Sequence, residues 1–159
     1  MITMIQKKHL TKELAFQKIR HYCAYQERSH YEVREKLYSM GLWKQEVEML
    51  IAQLVEENYL NEERFARHFA GGKFRMKQWG RVKIRYDLKQ KQVSEYCIKQ
   101  ALKEISDEDY SNTLNKVFEQ KLRTVRAEKN IFIKKRKILE YLLQKGFERE
   151  LATGLINDL

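Results

Sequence analysis

Apolar residues recur along the first third of the chain at helical spacing: Leu14, Ile19, Tyr22 and Cys23, then Val33 and Leu37, then Val47, Leu50, Ile51 and Leu54. Steps of three to five residues place such side chains on one face of an α-helix, so each group predicts one helix with one buried face. Polar punctuation falls between the groups. Ser29 is a predicted N-cap with Glu32 at the capping-box position, and Gly41, inside Met40-Gly41-Leu42, is a predicted residue just past a helix end. The first unit therefore reads as helix, short turn, helix, short turn, helix.

The same pattern then returns twice. Val33, Leu37, Leu42, Val47, Ile51 and Leu54 align at a constant offset of 51 residues with Ile84, Leu88, Val93, Ile98, Leu102 and Ile105. A further offset of 54 reaches Ile138, Leu142, Phe147, Ala152, Ile156 and Leu159. Six ungapped positions kept through two steps mark an internal repeat, because a shared i, i+4 spacing alone would not also hold the intervening turn at constant length. The fold predicted is all-α: three tandem three-helix repeats, at 12–59, 61–105 and 107–159, forming an elongated or curved molecule.

Composition agrees with helices and adds a charge map. The 159 residues include no proline, six glycines and 34% charged side chains, so the commonest helix breaker is missing. The 32 Lys and Arg against 22 Asp and Glu leave a net charge of +10. The stretch from Arg64 to Lys103 holds 12 basic and 2 acidic residues, which leaves 20 of each sign elsewhere, so the surplus is confined to the second repeat. Concentrated positive charge implies a polyanionic partner or an acidic protein surface.

The candidate contact residues follow from that map. Lys73 and Lys77 are i, i+4 neighbours, and Arg81, Arg85 and Lys89 continue the spacing on the helix expected after Gly80, on a face away from Ile84 and Leu88. Few carboxylates occur beside them in the sequence. With Arg75, Lys83 and Lys91 they form the predicted phosphate-contacting set, and Phe74, Trp79 and Tyr86 are interleaved where they could stack on bases. Lys134-Lys135-Arg136-Lys137 is a secondary basic patch whose four side chains point around more than half a helix. Replacing Arg81, Arg85 and Lys89 by Glu is expected to leave thermal stability almost unchanged, as exposed charges do.

Other chemistry finds no support in the residue pattern. His9, His21, His30 and His68 form no zinc-protease motif, and there is no phosphate-binding glycine loop, nucleophile elbow or dinucleotide fingerprint. No catalytic, cofactor-binding or metal-binding set is predicted, and the chain reads as a non-enzyme. Cys23 and Cys97 lack metal-ligand spacing and are expected as reduced core residues of a cytoplasmic protein. The N-terminal MITMIQKKHL carries no long apolar stretch, and the longest apolar runs, such as Met49 to Ala52, are too short to span a bilayer. No heptad seam is evident, so a monomer is expected.

Two stretches carry a family resemblance. Arg28 to Leu37 followed by Gly41 resembles the R-x-x-S-x-x-E-L-x-x-K-L-x-x-x-G signature of the RecX family, shortened between Arg28 and Ser29 and with Val33 where Leu is usual. Asn58-Tyr59-Leu60-Asn61-Glu62-Glu63-Arg64-Phe65-Ala66 is similar to that family's G-x-L-D-D-x-R-F-A, and Gly80, Ile84 and Leu88 fit the G-x-x-x-I-x-x-x-L that follows it. Among the departures are Asn61 and Glu62, where Asp-Asp is common. Asn61 can still cap the next helix, and Phe65 and Ala66 are expected in the core. The resemblance covers Tyr22 to Leu102, with the third repeat matching through its apolar template.

The resemblance implies a bacterial regulator of the RecA recombinase, active in DNA repair, recombination and the SOS response. Such proteins lie in the groove of the RecA filament on single-stranded DNA and suppress strand exchange, ATP hydrolysis and coprotease activity. Two rivals remain open from the residues themselves: an independent DNA-binding module using one helix pair as a helix-turn-helix, and an adaptor whose basic face meets an acidic protein.

Overall fold

The computed structural model describes residues 9–159, so most of the N-terminal MITMIQKKHL lies outside the described residues. The described chain holds nine helices: α1 (Lys12–Tyr25), α2 (His30–Ser39), α3 (Lys44–Glu56), α4 (Glu62–Lys77), α5 (Arg81–Gln90), α6 (Glu95–Lys103), α7 (Asp107–Thr124), α8 (Ile131–Gln144) and α9 (Arg149–Asn157). The closest helix-to-helix packing falls within successive triplets, α4 against α6 being the most extensive. The architecture is thus all-helical, three tandem three-helix repeats, as the periodicity predicts.

The repeat is visible down to its turns. Of the 18 aligned apolar positions, all are buried except Leu159, which is 40% exposed at the chain's last residue. The residue between the second and third helices of each unit, Gly41, Gln92 or Gly146, has a left-handed backbone with φ of 84°, 59° and 94°. These three lie 51 and 54 residues apart, the same offsets as the apolar template. A left-handed residue just past a helix end turns the chain while satisfying its last carbonyls, and Gln92 shows the conformation retained without glycine.

Helix starts obey local capping chemistry. Ser29, fully buried, accepts a hydrogen bond from the Glu32 amide at 3.0 Å while the Glu32 carboxylate accepts from the Ser29 amide, completing the predicted capping box. Asn61 Oδ1 accepts from the Arg64 amide at 2.9 Å, so the departure from Asp preserves the cap. Ser94, Ser106 and Thr11 cap α6, α7 and α1 in the same way. In α1 the buried positions are Ala15, Ile19 and Cys23, whereas Leu14 is largely exposed, a correction of one residue to the expected stripe.

The two joints between units differ in kind. Unit 1 closes its own core, from Ala15 to Leu60, and meets unit 2 through charge: Arg64 Nε donates to Glu27 at 2.6 Å and Lys91 Nζ to Glu32 at 2.8 Å. Units 2 and 3 instead share one continuous apolar core, in which Tyr110 of α7 stacks on Phe74 of α4 and packs against Phe147. There two backbones also meet. The Gly80 amide donates to the Lys145 carbonyl at 2.8 Å and the Val82 amide to the Gly146 carbonyl at 2.9 Å.

Candidate nucleic-acid interface

The basic residues of unit 2 sit on the end of α4, the 78–80 turn and α5, and tertiary structure divides them into two sets. Arg81, Arg85, Lys89 and Lys91 each have a carboxylate partner brought from elsewhere. Arg81 pairs with Asp107 at 3.0 Å and Glu148 at 3.8 Å and lies over the Tyr110 ring. Arg85 pairs closely with Glu95, which Lys89 also approaches at 3.9 Å. Lys91 pairs with Glu32. The stripe that looks free of carboxylates along the sequence is therefore largely compensated in space, because Glu95, Asp107 and Glu148 start α6, α7 and α9 beside it.

The second set, Lys73, Arg75, Lys77 and Lys83, has no carboxylate within 4.0 Å among the described residues. Lys73 and Lys83 lie over the Trp79 indole at 4.9 and 4.4 Å from its centroid. Cation–π attraction of this kind orients an ammonium group without neutralising it. Arg75 is exposed and folds back along α4 towards Gly71, and Lys77 is exposed at the last helical position.

The interleaved aromatics do not all face solvent. Phe74 is buried against Tyr110, which excludes it from base stacking and corrects that expectation. Trp79 is half-buried and carries the two lysines, while Tyr86 is 62% exposed and open to a planar ligand. In the secondary patch on α8, Lys137 pairs with Glu128 at 3.5 Å and Arg136 with Glu140 at 3.8 Å, leaving Lys134 and Lys135 with no carboxylate in reach among the described residues.

Arg81 also has a structural role that sequence spacing does not reveal. Its amide donates to the Tyr110 hydroxyl at 3.0 Å, and that hydroxyl donates to Glu148 at 2.8 Å, so one network spans α5, α7 and the start of α9. Burial, with Glu148 alongside, pushes the Tyr110 phenol far above its ordinary range, so it stays protonated as a donor. A glutamate at position 81 would face Asp107 and Glu148, so the expectation that charge reversal there is harmless does not hold. Burial likewise raises both thiols, Cys23 to about 11, which keeps it protonated and unreactive.

Sequence reasoning missed Lys145 and Lys121. Lys145 follows α8 immediately and its Nζ donates to the Lys77 carbonyl at 2.9 Å, capping the end of α4 from another unit. Lys121 lies over the Tyr141 ring at 4.9 Å. Lys145 belongs to no basic run, and Lys121 lies within the basic stretch from Lys116 to Lys137 with nothing local to set it apart from the other basic residues there. No group of three or more His, Cys, Asp or Glu side chains that could hold a metal occurs among the described residues, and none of their helices is long and apolar enough to cross a membrane.

The fold and this surface define a class: tandem three-helix-repeat proteins with a basic face on the middle unit. A family profile described as "RecX, second three-helix domain" matches residues 61–102. Regulatory protein RecX of Clostridium perfringens (strain 13 / Type A) is 31% identical over 129 residues, covering 80% of this chain and 60% of that protein. Regulatory protein RecX of Prosthecochloris aestuarii is 27% identical over 138 residues, covering 87% and 88%. The crystal structure of RecX from Lactobacillus salivarius superposes with a TM-score of 0.81 at 22% identity, over 93% of this chain and 96% of that one. The chain belongs to the RecX family. It spans about 60% of the length of the clostridial relatives.

Proposed function

We propose that the chain is a regulator of the RecA recombinase that binds the filament RecA forms on single-stranded DNA and inhibits its activity. Its membership of a family whose members are named regulatory proteins carries this reading. The supporting physical feature is the set of basic side chains on unit 2 without carboxylate partners, which suits phosphate contacts that give affinity without reading bases. The units at 12–59, 61–105 and 107–159 act as one array in the filament groove, the protein working as a cytoplasmic monomer and without turnover of its own.

The test is the single-stranded-DNA-dependent ATPase of RecA with increasing amounts of the protein. The rate is expected to fall as the protein approaches the concentration of filament binding sites. An unchanged rate at several-fold excess would sink the proposal.

A further inference from the structure

The joint between units 2 and 3 gathers positive charge that no single unit carries. Lys77 ends α4, Lys83 lies in the first turn of α5, and Lys145 follows α8. The glycine contact forces the approach: a Cβ placed on Gly146 would fall 2.2 Å from Lys83 Cβ, so the 145–146 turn lies directly on the start of α5. Trp79, Lys83, Tyr141, Gln144 and Lys145 line a recess of about 300 Å³. Lys73 over Trp79 and Lys121 over Tyr141 extend the charge to either side.

Five ammonium groups on this one surface have no carboxylate within 4.0 Å among the described residues. Burial, then Lys83, then Lys77 lower the Lys145 pKa from its ordinary value, and no acidic group counts among the causes. Its single hydrogen bond, to the Lys77 carbonyl, satisfies one of three ammonium protons. A chain holding 22 carboxylates could have placed one here, as it does beside Arg81, Arg85 and Lys91. The two aromatic rings order three of the lysines while leaving their charge intact. Five charges exceed what one phosphate group neutralises, which points to a polymer of phosphates.

We propose that Lys77, Lys83 and Lys145, flanked by Lys73 and Lys121, form a phosphodiester-binding site for single-stranded nucleic acid that straddles the joint between the second and third units. The inference rests on the reading that the chain meets DNA in the RecA filament, and it moves the contact from the α5 stripe to the joint. A strand seated there touches both units and so ties them together.

The test uses the full chain with Trp43→Phe, which leaves Trp79 as the only tryptophan, titrated with an oligothymidylate of about twenty nucleotides and followed by fluorescence and anisotropy. Removing three phosphate-binding charges lowers the salt slope for a single strand by about 2 and the affinity by about a hundredfold at roughly 0.1 M salt. That is the result expected for Lys77→Gln/Lys83→Gln/Lys145→Gln, with Arg85→Gln/Lys89→Gln changing affinity less than about twofold. Glutamine at 145 can still donate to the Lys77 carbonyl, and circular dichroism checks the fold. Should the triple variant unfold, Lys83→Gln alone is expected to lower the slope by about 0.7.

An unchanged slope in a folded variant overturns the proposal. So does an equal loss in the Arg85/Lys89 variant, no binding by the parent at low salt, or a Trp79 response to inorganic phosphate matching that to the oligonucleotide. The RecA ATPase measurement is separate. Inhibition retained by a triple variant that no longer binds DNA would remove the link between this site and RecA while leaving the site intact.

Discussion

Replacing Gly80 by alanine tests the joint between units 2 and 3 at its tightest point. Gly80 has φ −78° and ψ 169°, a conformation alanine adopts without strain. On backbone grounds alone the change should stabilise by about 0.4–1 kcal/mol, through a less flexible unfolded chain. The added Cβ, however, would lie 2.3 Å from the Gly146 carbonyl oxygen, 2.4 Å from its carbon and 2.5 Å from the Phe147 nitrogen, all main-chain atoms that cannot rotate away. Forcing in a methyl group costs about 1–3 kcal/mol. Separating the two backbone segments also weakens the 2.8 Å and 2.9 Å hydrogen bonds at Gly80 and Val82, worth about 1 kcal/mol each.

The steric clash wins over the entropy, and a net loss of about 2 kcal/mol is expected. For a chain of this length that corresponds to a melting temperature lower by about 4–8 °C. Gly72→Ala is the matched control. Gly72 lies inside α4 with nothing within 4 Å of an added Cβ, so helix propensity acts alone and should stabilise by about 1 kcal/mol. Thermal and urea denaturation followed by circular dichroism measure both. A Gly80→Ala protein as stable as the parent would refute the close approach, and a destabilised Gly72→Ala would refute the account of free space in α4.

Tyr110→Phe keeps the ring packing on Phe74 and Phe147 but removes the hydroxyl that joins the Arg81 amide to Glu148. A loss of about 1–2 kcal/mol is expected from the urea midpoint at unchanged slope, and no loss would show the network to be idle. His30 gives a pH dependence. Burial depresses its pKa below 6.5, and its buried Nε2 has no hydrogen-bond partner among the described residues. The unfolded chain therefore binds this proton more readily, so the contribution is present above about pH 6.5 and is lost as pH falls through the depressed native value. His30→Gln should flatten urea stability between about pH 7 and 5 relative to the parent, and parallel profiles would exclude His30 as the source.

The nine helices, their caps and the three-fold repeat follow from the sequence because each depends on neighbours a few residues away. A buried stripe needs only its own spacing, Ser29 needs only Glu32, and the left-handed residue at 41, 92 and 146 is required by a turn of constant length. The basic character of the second unit is legible for the same reason, since charge can be counted along the chain.

What those charges face could be decided only by folding. Arg81 and Arg85 look alike with Lys83 on one linear map, yet Asp107, Glu148 and Glu95 approach only the first two as close ion pairs, while Lys83 meets Trp79 and the turn at Lys145. Coulomb interactions and hydrogen bonds act through space over a few ångströms, and those ångströms are set by how units 2 and 3 pack. The apolar core around Tyr110 and the bare contact of Gly80 with Gly146 fix that packing. They bring Lys145 to Lys77 and Lys83 from more than sixty residues away in the chain.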